Sequence, residues 1–203
     1  RNLGESGLSS NKTKIEKLKK LKSKIENIKN CDLKNSASNI VFGDGNISAK
    51  IMFIGEGPGA QEDAEGIPFV GRAGKLLDKM LESIKLNRSK IYISNVVNYR
   101  PPLNRRPTEI EIKKYLPFLK EHIEIINPKI LVLLGSTALN TLIGNEIVIS
   151  KARGKWIQKK IGLANPWIIA SFHPAFLMRQ PEQKKFAWID LKMIREKSKI
   201  LKI

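Results

Sequence analysis

The chain is poor in the residues that staple small proteins together: its 203 residues include one cysteine, Cys31, and two histidines, His122 and His173. A lone thiol excludes an internal disulfide framework, and with two imidazoles it makes a structural zinc site a poor expectation. Such cysteine usage fits a reducing compartment. No stretch approaches the roughly 18 consecutive apolar residues of a membrane-spanning helix, and the start lacks the apolar core of a signal peptide. The expectation is a soluble, cytoplasmic protein with no membrane partner. The first residue is Arg1 rather than Met, consistent with a processed or trimmed chain. Acid is scarce too: 19 Asp and Glu against 37 Lys and Arg leave a net charge of +18. That imbalance points to a polyanionic partner, nucleic acid being the commonest, although an A/T-rich genome also yields chains rich in Lys, Ile and Asn.

What is present suffices for one core. A hydrophobic content of 41% over this length fits a single globular domain with a short appendage. The appendage is residues 1–30, a disordered lead-in around Gly4 to Ser10 followed by a basic amphipathic helix from Asn11 to Asn30. Ile15, Leu18, Leu21, Ile25 and Ile28 form its apolar stripe, so its expected job is packing. The domain is residues 31–203. Four short apolar runs read as buried strands: Lys50 to Ile54, Ile91 to Val97, Lys129 to Leu134 and Trp167 to Phe172. Helical spacing marks Gly71 to Ile84, Thr108 to Ile126 (with a Thr108/Glu111 capping box), Ser136 to Ile143 and residues 181–200, where Trp188, Leu191 and Ile194 share a face. Residues Ile147 to Ile161 suggest a peripheral hairpin. The alternation predicts an α/β fold, a three-layer α/β/α sandwich around a central, mainly parallel four-stranded sheet.

Three of those strands end in chemistry-bearing loops. The first runs Gly55-Glu56-Gly57-Pro58-Gly59, then Glu62-Asp63, then Gly66-Ile67-Pro68-Phe69-Val70-Gly71-Arg72-Ala73-Gly74. It is no dinucleotide loop, because Pro58 and the carboxylates at 56, 62 and 63 would repel a pyrophosphate. Nor does Gly71 to Leu76 have the spacing of a nucleotide-triphosphate loop. The second is Asn95-Val96-Val97-Asn98-Tyr99-Arg100-Pro101-Pro102-Leu103-Asn104-Arg105-Arg106-Pro107-Thr108. Here Asn95 closes a buried strand and can offer both donor and acceptor to a planar amide-bearing ligand, and the basic loop beyond it suits phosphates. Each Asn seen alone could equally be a strand or turn cap. The third, Ser171-Phe172-His173-Pro174-Ala175-Phe176-Leu177-Met178-Arg179, has the makings of an apolar wedge with a cation behind it. Strand ends on one edge of a parallel sheet converge on one mouth.

Together, over about residues 31–195, these blocks resemble the uracil-DNA glycosylase superfamily, family 4 type. The resemblance implies an enzyme that flips deoxyuridine out of DNA, single- or double-stranded, and hydrolyses its N-glycosidic bond. It implies Phe69 stacking on uracil, Asn95 pairing with its O4 and N3 edge, and a pocket wall that excludes the thymine methyl. His173 would stabilise negative charge on O2, and Glu56 and Glu62 would hold the attacking water or offset oxocarbenium charge. Gly57 would allow close approach, Asn104 would position water or phosphate, and Arg100, Arg105, Leu177 and Arg179 would contact DNA. A monomer is expected.

The departure from the family is as specific as the match. Family 4 enzymes hold a [4Fe–4S] cluster on four cysteines, and the corresponding positions here are Ile28, Cys31, Tyr99 and Tyr115. The expectation is therefore no cluster and no metal or other cofactor, with Ile28, Tyr99 and Tyr115 filling the space as an apolar and aromatic plug. Rival readings are a glycosylase for another deaminated base, hypoxanthine or xanthine, and a non-catalytic DNA-binding module on the same fold. A related subtype that bonds to DNA through a His in a basic loop is disfavoured, since no His lies between Glu62 and Arg106.

Overall fold

The computed structural model describes residues 3–203; of the expected lead-in, Arg1 and Asn2 lie outside the described residues. Helix α1 spans Leu3–Glu26, so Gly4 to Ser10 are helical rather than disordered, and the helix stops before Ile28. Its stripe buries Leu18, Leu21 and Ile25 but leaves Ile15 exposed. A short α2 (Asp32–Ser36) leads to β1 (Asp44–Gly45), β2 (Ile51–Gly55), α3 (Ala60–Glu65), α4 (Arg72–Ser83) and β3 (Tyr92–Asn95). There follow α5 (Glu109–Ile126), β4 (Ile130–Leu134), α6 (Ser136–Leu142), α7 (Ile149–Ala152), β5 (Ile157–Gln158), β6 (Trp167–Ser171), α8 (Pro174–Arg179) and α9 (Lys184–Ile200).

The sheet has six strands in the order β1-β3-β2-β4-β6-β5, not the four expected. Its central four are parallel, as the apolar runs require. The additions, β1 and β5, are two-residue antiparallel edge strands, too short and polar to leave a periodic signature, and they occupy the edges that the parallel set would leave open. The expected hairpin at Ile147 to Ile161 becomes α7 plus β5, with β5 pairing to β6.

Period-2 alternation sorts the strands between two apolar layers. Met52, Ile54, Leu131, Leu133 and Ile168 pack with α1, α5 and α6, whereas Phe53, Ile93, Val132 and Ile169 pack with α4 and α9. The capping box on α5 forms as expected: Thr108 Oγ1 accepts from the Glu111 amide at 3.2 Å and the Glu111 carboxylate accepts from the Thr108 amide at 2.9 Å. On α9, Leu191 and Ile194 are buried but Trp188 is 42% exposed, because the strict three-residue step drifts off a 3.6-residue helical face. No described helix is long and apolar enough to cross a membrane.

Chain order places β3 on one side of β2 and β4 on the other. A crevice therefore opens at the carboxyl ends of the strands, where the crossovers diverge.

Candidate active site

That crevice is a cavity of about 770 Å³, lined from all four parallel strand ends. The structure brings together Glu56, Gly57, Glu62, Phe69, Asn95, Asn104, Arg105, His173 and Arg179 in its wall. Of the expected site residues, Arg100 and Leu177 are not in it.

The floor is built by close approach. Asn95 ends β3 and is 3% exposed, and its Oδ1 is buried without a hydrogen-bond partner. A Cβ on Gly55 would lie 2.4 Å from the Phe69 ring and 2.6 Å from Asn95 Oδ1, so only glycine at the end of β2 lets ring and amide sit side by side. Phe69 has φ +55°, which costs a non-glycine residue about 1–2 kcal/mol. Arg88 holds it there: its guanidinium donates to the carbonyls of Pro68 (2.7 Å) and Phe69 and is ion-paired at 3.0 Å with both Asp44 and Asp78. Gly74 completes the clamp, since a Cβ there would fall 1.9 Å from the Phe69 carbonyl oxygen.

His173 stacks beside Phe69 in the pocket wall, with ring centroids 5.6 Å apart. It caps α8, and its Nδ1 accepts a hydrogen bond from the Ala175 amide at 3.0 Å. Burial, and secondarily Arg179, pushes its pKa down to about 4, so the ring is neutral near pH 7. With Nδ1 engaged as an acceptor, the remaining proton sits on Nε2 as a donor. Gly135, at φ +93°, gives this ring room, as a Cβ there would stand 3.0 Å from His173 Cβ. Behind β6, Ser171 Oγ and Arg153 both donate to the buried Asp190 (2.6 Å from Ser171, 3.0 Å from Arg153 Nε), tying the strand end to α7 and α9.

Each carboxylate of the wall has one oxygen fixed. Thr137 Oγ1 donates to Glu56 Oε2 at 2.5 Å, and the Gly71 amide donates to Glu62 Oε1 at 3.1 Å. Gly57 packs under Val97, where a Cβ would come within 2.8 Å. At the mouth, Arg100 Nε donates to Asn104 Oδ1 at 2.8 Å, which makes Arg100 a brace for the loop. Arg105 is exposed but engaged with Glu111 at 2.6 Å; the hydrogen bond from Arg105 is the main reason the Glu111 pKa is lowered. Leu177 is corrected outright: it is 1% exposed, packed with Phe172 and Ala187. Four residues along α8 from the cap, it falls on the helix face turned to the core.

Sequence reasoning assigned no role to Arg88, Gly74, Gly135 or Thr137. The last two carried a usable signal, a Gly-Ser-Thr run directly after the buried strand β4. Arg72 and Arg106 also line the mouth and add cations to it.

On the α1/α5 side of the sheet, the residues corresponding to a four-thiolate site do not fit one. Cys31, Tyr99 and Tyr115 are buried in one cluster with Ile28 packed against it, and Cys31 Sγ lies 3.2 Å from Tyr115 Oη in a hydrogen bond. Burial, then the bond to Cys31, raises the Tyr115 pKa, so this phenol stays neutral and is no substitute for a thiolate. Among the described residues, no group of three or more His, Cys, Asp or Glu could hold a metal ion.

Comparison with known proteins gives the family. A family model described as uracil DNA glycosylase superfamily matches residues 42–192. A type-4 uracil-DNA glycosylase of Thermotoga maritima is 42% identical over 168 residues, 82% of this chain and 86% of that protein. Proteins of the same name from Sulfurisphaera tokodaii (41% identical; 90% of this chain and 85% of that one) and Archaeoglobus fulgidus (38%; 90% and 94%) are also similar.

Proposed function

The chain belongs to the uracil-DNA glycosylase superfamily, enzymes that hydrolyse N-glycosyl bonds, and from that premise we propose that it releases uracil from DNA by the pocket just described and without an iron–sulfur cluster. The observation that carries the proposal is the Asn95 amide oxygen, buried and unpartnered beside the Phe69 ring. An unsatisfied buried acceptor costs about 1–3 kcal/mol, and the protein keeps this one at the end of a fully buried strand. A flipped uracil supplies what is missing: N3–H donates to Asn95 Oδ1, the Asn95 NH2 donates to O4, and Phe69 takes the ring face.

Chemistry follows from placement. As the bond between C1′ and N1 breaks, its electron pair passes into the uracil ring and charge gathers on O2. The neutral His173, donating its Nε2–H to O2, stabilises that charge without giving up the proton. The sugar develops oxocarbenium character, which the carboxylates of Glu56 and Glu62 offset. Water then adds to C1′, a carboxylate accepts its proton, and an abasic site remains. Glu56 and Glu62 are each held by one oxygen, leaving the other for this work. Asn104 is positioned for a bridging water or phosphate, and Arg72, Arg106 and Arg179 supply cations for the strand. In this reading residues 31–203 form the glycosylase unit, acting as a monomer, with α1 packed against α5 as structural support.

The residues at 28, 31, 99 and 115 support catalysis independent of iron, since they form a satisfied, packed cluster and a base pocket of separate side chains stands at the strand ends. Single-turnover release of uracil from a single-stranded and a U:G duplex oligonucleotide tests the reading, with Asn95→Ala as control. Release by the parent and its loss in the variant is the expected result. Equal release by both proteins would refute the role of the amide, and release of hypoxanthine or xanthine in preference to uracil would reassign the substrate.

A further inference from the structure

With Leu177 turned into the core, the apolar side chain at the rim comes from a different loop. Leu103 is 95% exposed, between Pro101 and Asn104, which both line the cavity. It has φ +55° and Asn104 φ +57°, two successive residues with a β-carbon in the left-handed region that such residues seldom occupy. The turn is over-determined rather than loose. Pro101 and Pro102 restrict the approach, the Asn104 amide donates to the Pro101 carbonyl at 3.1 Å, and the Arg105 amide donates to the Pro102 carbonyl at 3.2 Å. Arg100 clasps Asn104 across it at 2.8 Å. Backbone strain held by several restraints at the mouth of a site points to use, and what this strain achieves is the display of one leucine to water among Arg100, Arg105 and Arg106.

We propose that Leu103 is a wedge that enters the DNA base stack beside the flipped nucleotide, with the flanking arginines on the backbone. This rests on the glycosylase reading for its substrate. An exposed apolar tip bracketed by cations is the arrangement by which proteins part base steps: the side chain replaces stacking contacts that the extruded base gives up, and the cations hold the bent strand. Leu103 is thereby a positioning residue. It touches neither the glycosidic bond nor the uracil ring, and it acts by lengthening the life of the extruded state. A single strand has no partner base to expel and little stack to part, so the wedge matters for duplex DNA alone.

The test uses Leu103→Ala, Leu103→Gly and Leu103→Met in the full chain. Glycine accepts the left-handed conformation freely, so a fault in Leu103→Gly is not a folding fault. Single-turnover release from a U:G duplex should fall about tenfold in the Ala and Gly variants, the scale of losing part of an unstacking contribution, with single-strand rates unchanged and the Met variant close to the parent. A duplex carrying 2-aminopurine next to the uracil should brighten on binding the parent and stay dim with Ala and Gly. An unchanged duplex-to-single-strand ratio, or equal brightening by all four proteins, would overturn the wedge. Failure of the parent to release uracil from either strand would count against the glycosylase reading, and the fluorescence comparison judges the wedge separately because it needs binding and no cleavage.

Discussion

Asn95 closes β3 and Tyr99 follows it by four residues, and the two side chains enter regions of opposite character. At the strand-end pocket the protein leaves Asn95 Oδ1 buried without a partner, holds Phe69 at positive φ, and uses four glycines, at 55, 57, 74 and 135, to let groups crowd together. On the α1/α5 side of the sheet, Cys31 and Tyr115 satisfy each other, and Tyr99 and Ile28 close the packing. Unmet polarity and strain mark the place where a ligand completes the structure, whereas satisfied polarity marks a place that is already complete. Complete packing at residues 28, 31, 99 and 115 and unmet polarity at the strand ends are thus separate features of one sheet, and each can be altered without the other.

That contrast can be broken most violently at Asn95. Asn95→Ala should cut single-turnover uracil release about 10⁴-fold, the range seen when a site built to hydrogen-bond its substrate loses the pairing, with little change in melting temperature. A large loss of stability with normal release would reverse the assignment of the two regions. Tyr115→Ala should behave in the opposite way, costing about 3–5 kcal/mol in a denaturant titration through the cavity it leaves, while the release rate of the folded fraction stays within about twofold of the parent. His173→Ala should slow release about 10²–10³-fold and weaken DNA binding far less, as read by anisotropy with an uncleaved duplex.

The two histidines sharpen the comparison by pH. His122, fully inside the α5 layer, bonds Tyr92 Oη at 2.7 Å and stacks on Phe42, and burial pushes its pKa down to about 3; His173 sits at about 4. Unfolded, each would titrate near 6.5. Between those values the unfolded chain binds more protons than the folded one, so stability rises with pH: the contribution is complete above about 6.5 and is lost as pH falls toward 4 for His173 and 3 for His122. Each ring adds a slope of about 1.4 kcal/mol per pH unit within its window. Urea unfolding from pH 7 to 4.5 should show the parent losing stability on acidification, and His122→Phe should lose it with one proton less of slope. An unchanged slope in that variant would show that His122 is not the buried neutral ring described.

Much of this was legible in the sequence because it is periodic or local. The four central strands, α4 and the Thr108/Glu111 capping box depend on runs and spacings within one segment. Asn95 and His173 could be read because they stand at the ends of buried strands, and Phe69 because it belongs to the motif that carries the family resemblance. The parts that escaped depend on approach between distant segments. Arg88 matters because it reaches the Phe69 carbonyl and two aspartates, Gly74 because α4 closes on that same carbonyl, and Thr137 because Glu56 comes to it from another strand. Leu177 was misread for a related reason: a motif fixes order along the chain, whereas the turn of a six-residue helix decides which side chain meets the core. The two-residue strands β1 and β5 exist only as edge partners of longer ones and have no pattern of their own.

If the pocket works while the Cys31/Tyr99/Tyr115 region is packed without metal, activity and iron content are independent. The most direct test is single-turnover release of uracil by protein purified without exposure to air, with iron and sulfide measured on the same sample. Release from uracil-containing DNA, abolished by Asn95→Ala, is expected at iron contents far below one cluster per chain. Stoichiometric iron and sulfide, with release that falls as iron is stripped, would contradict it.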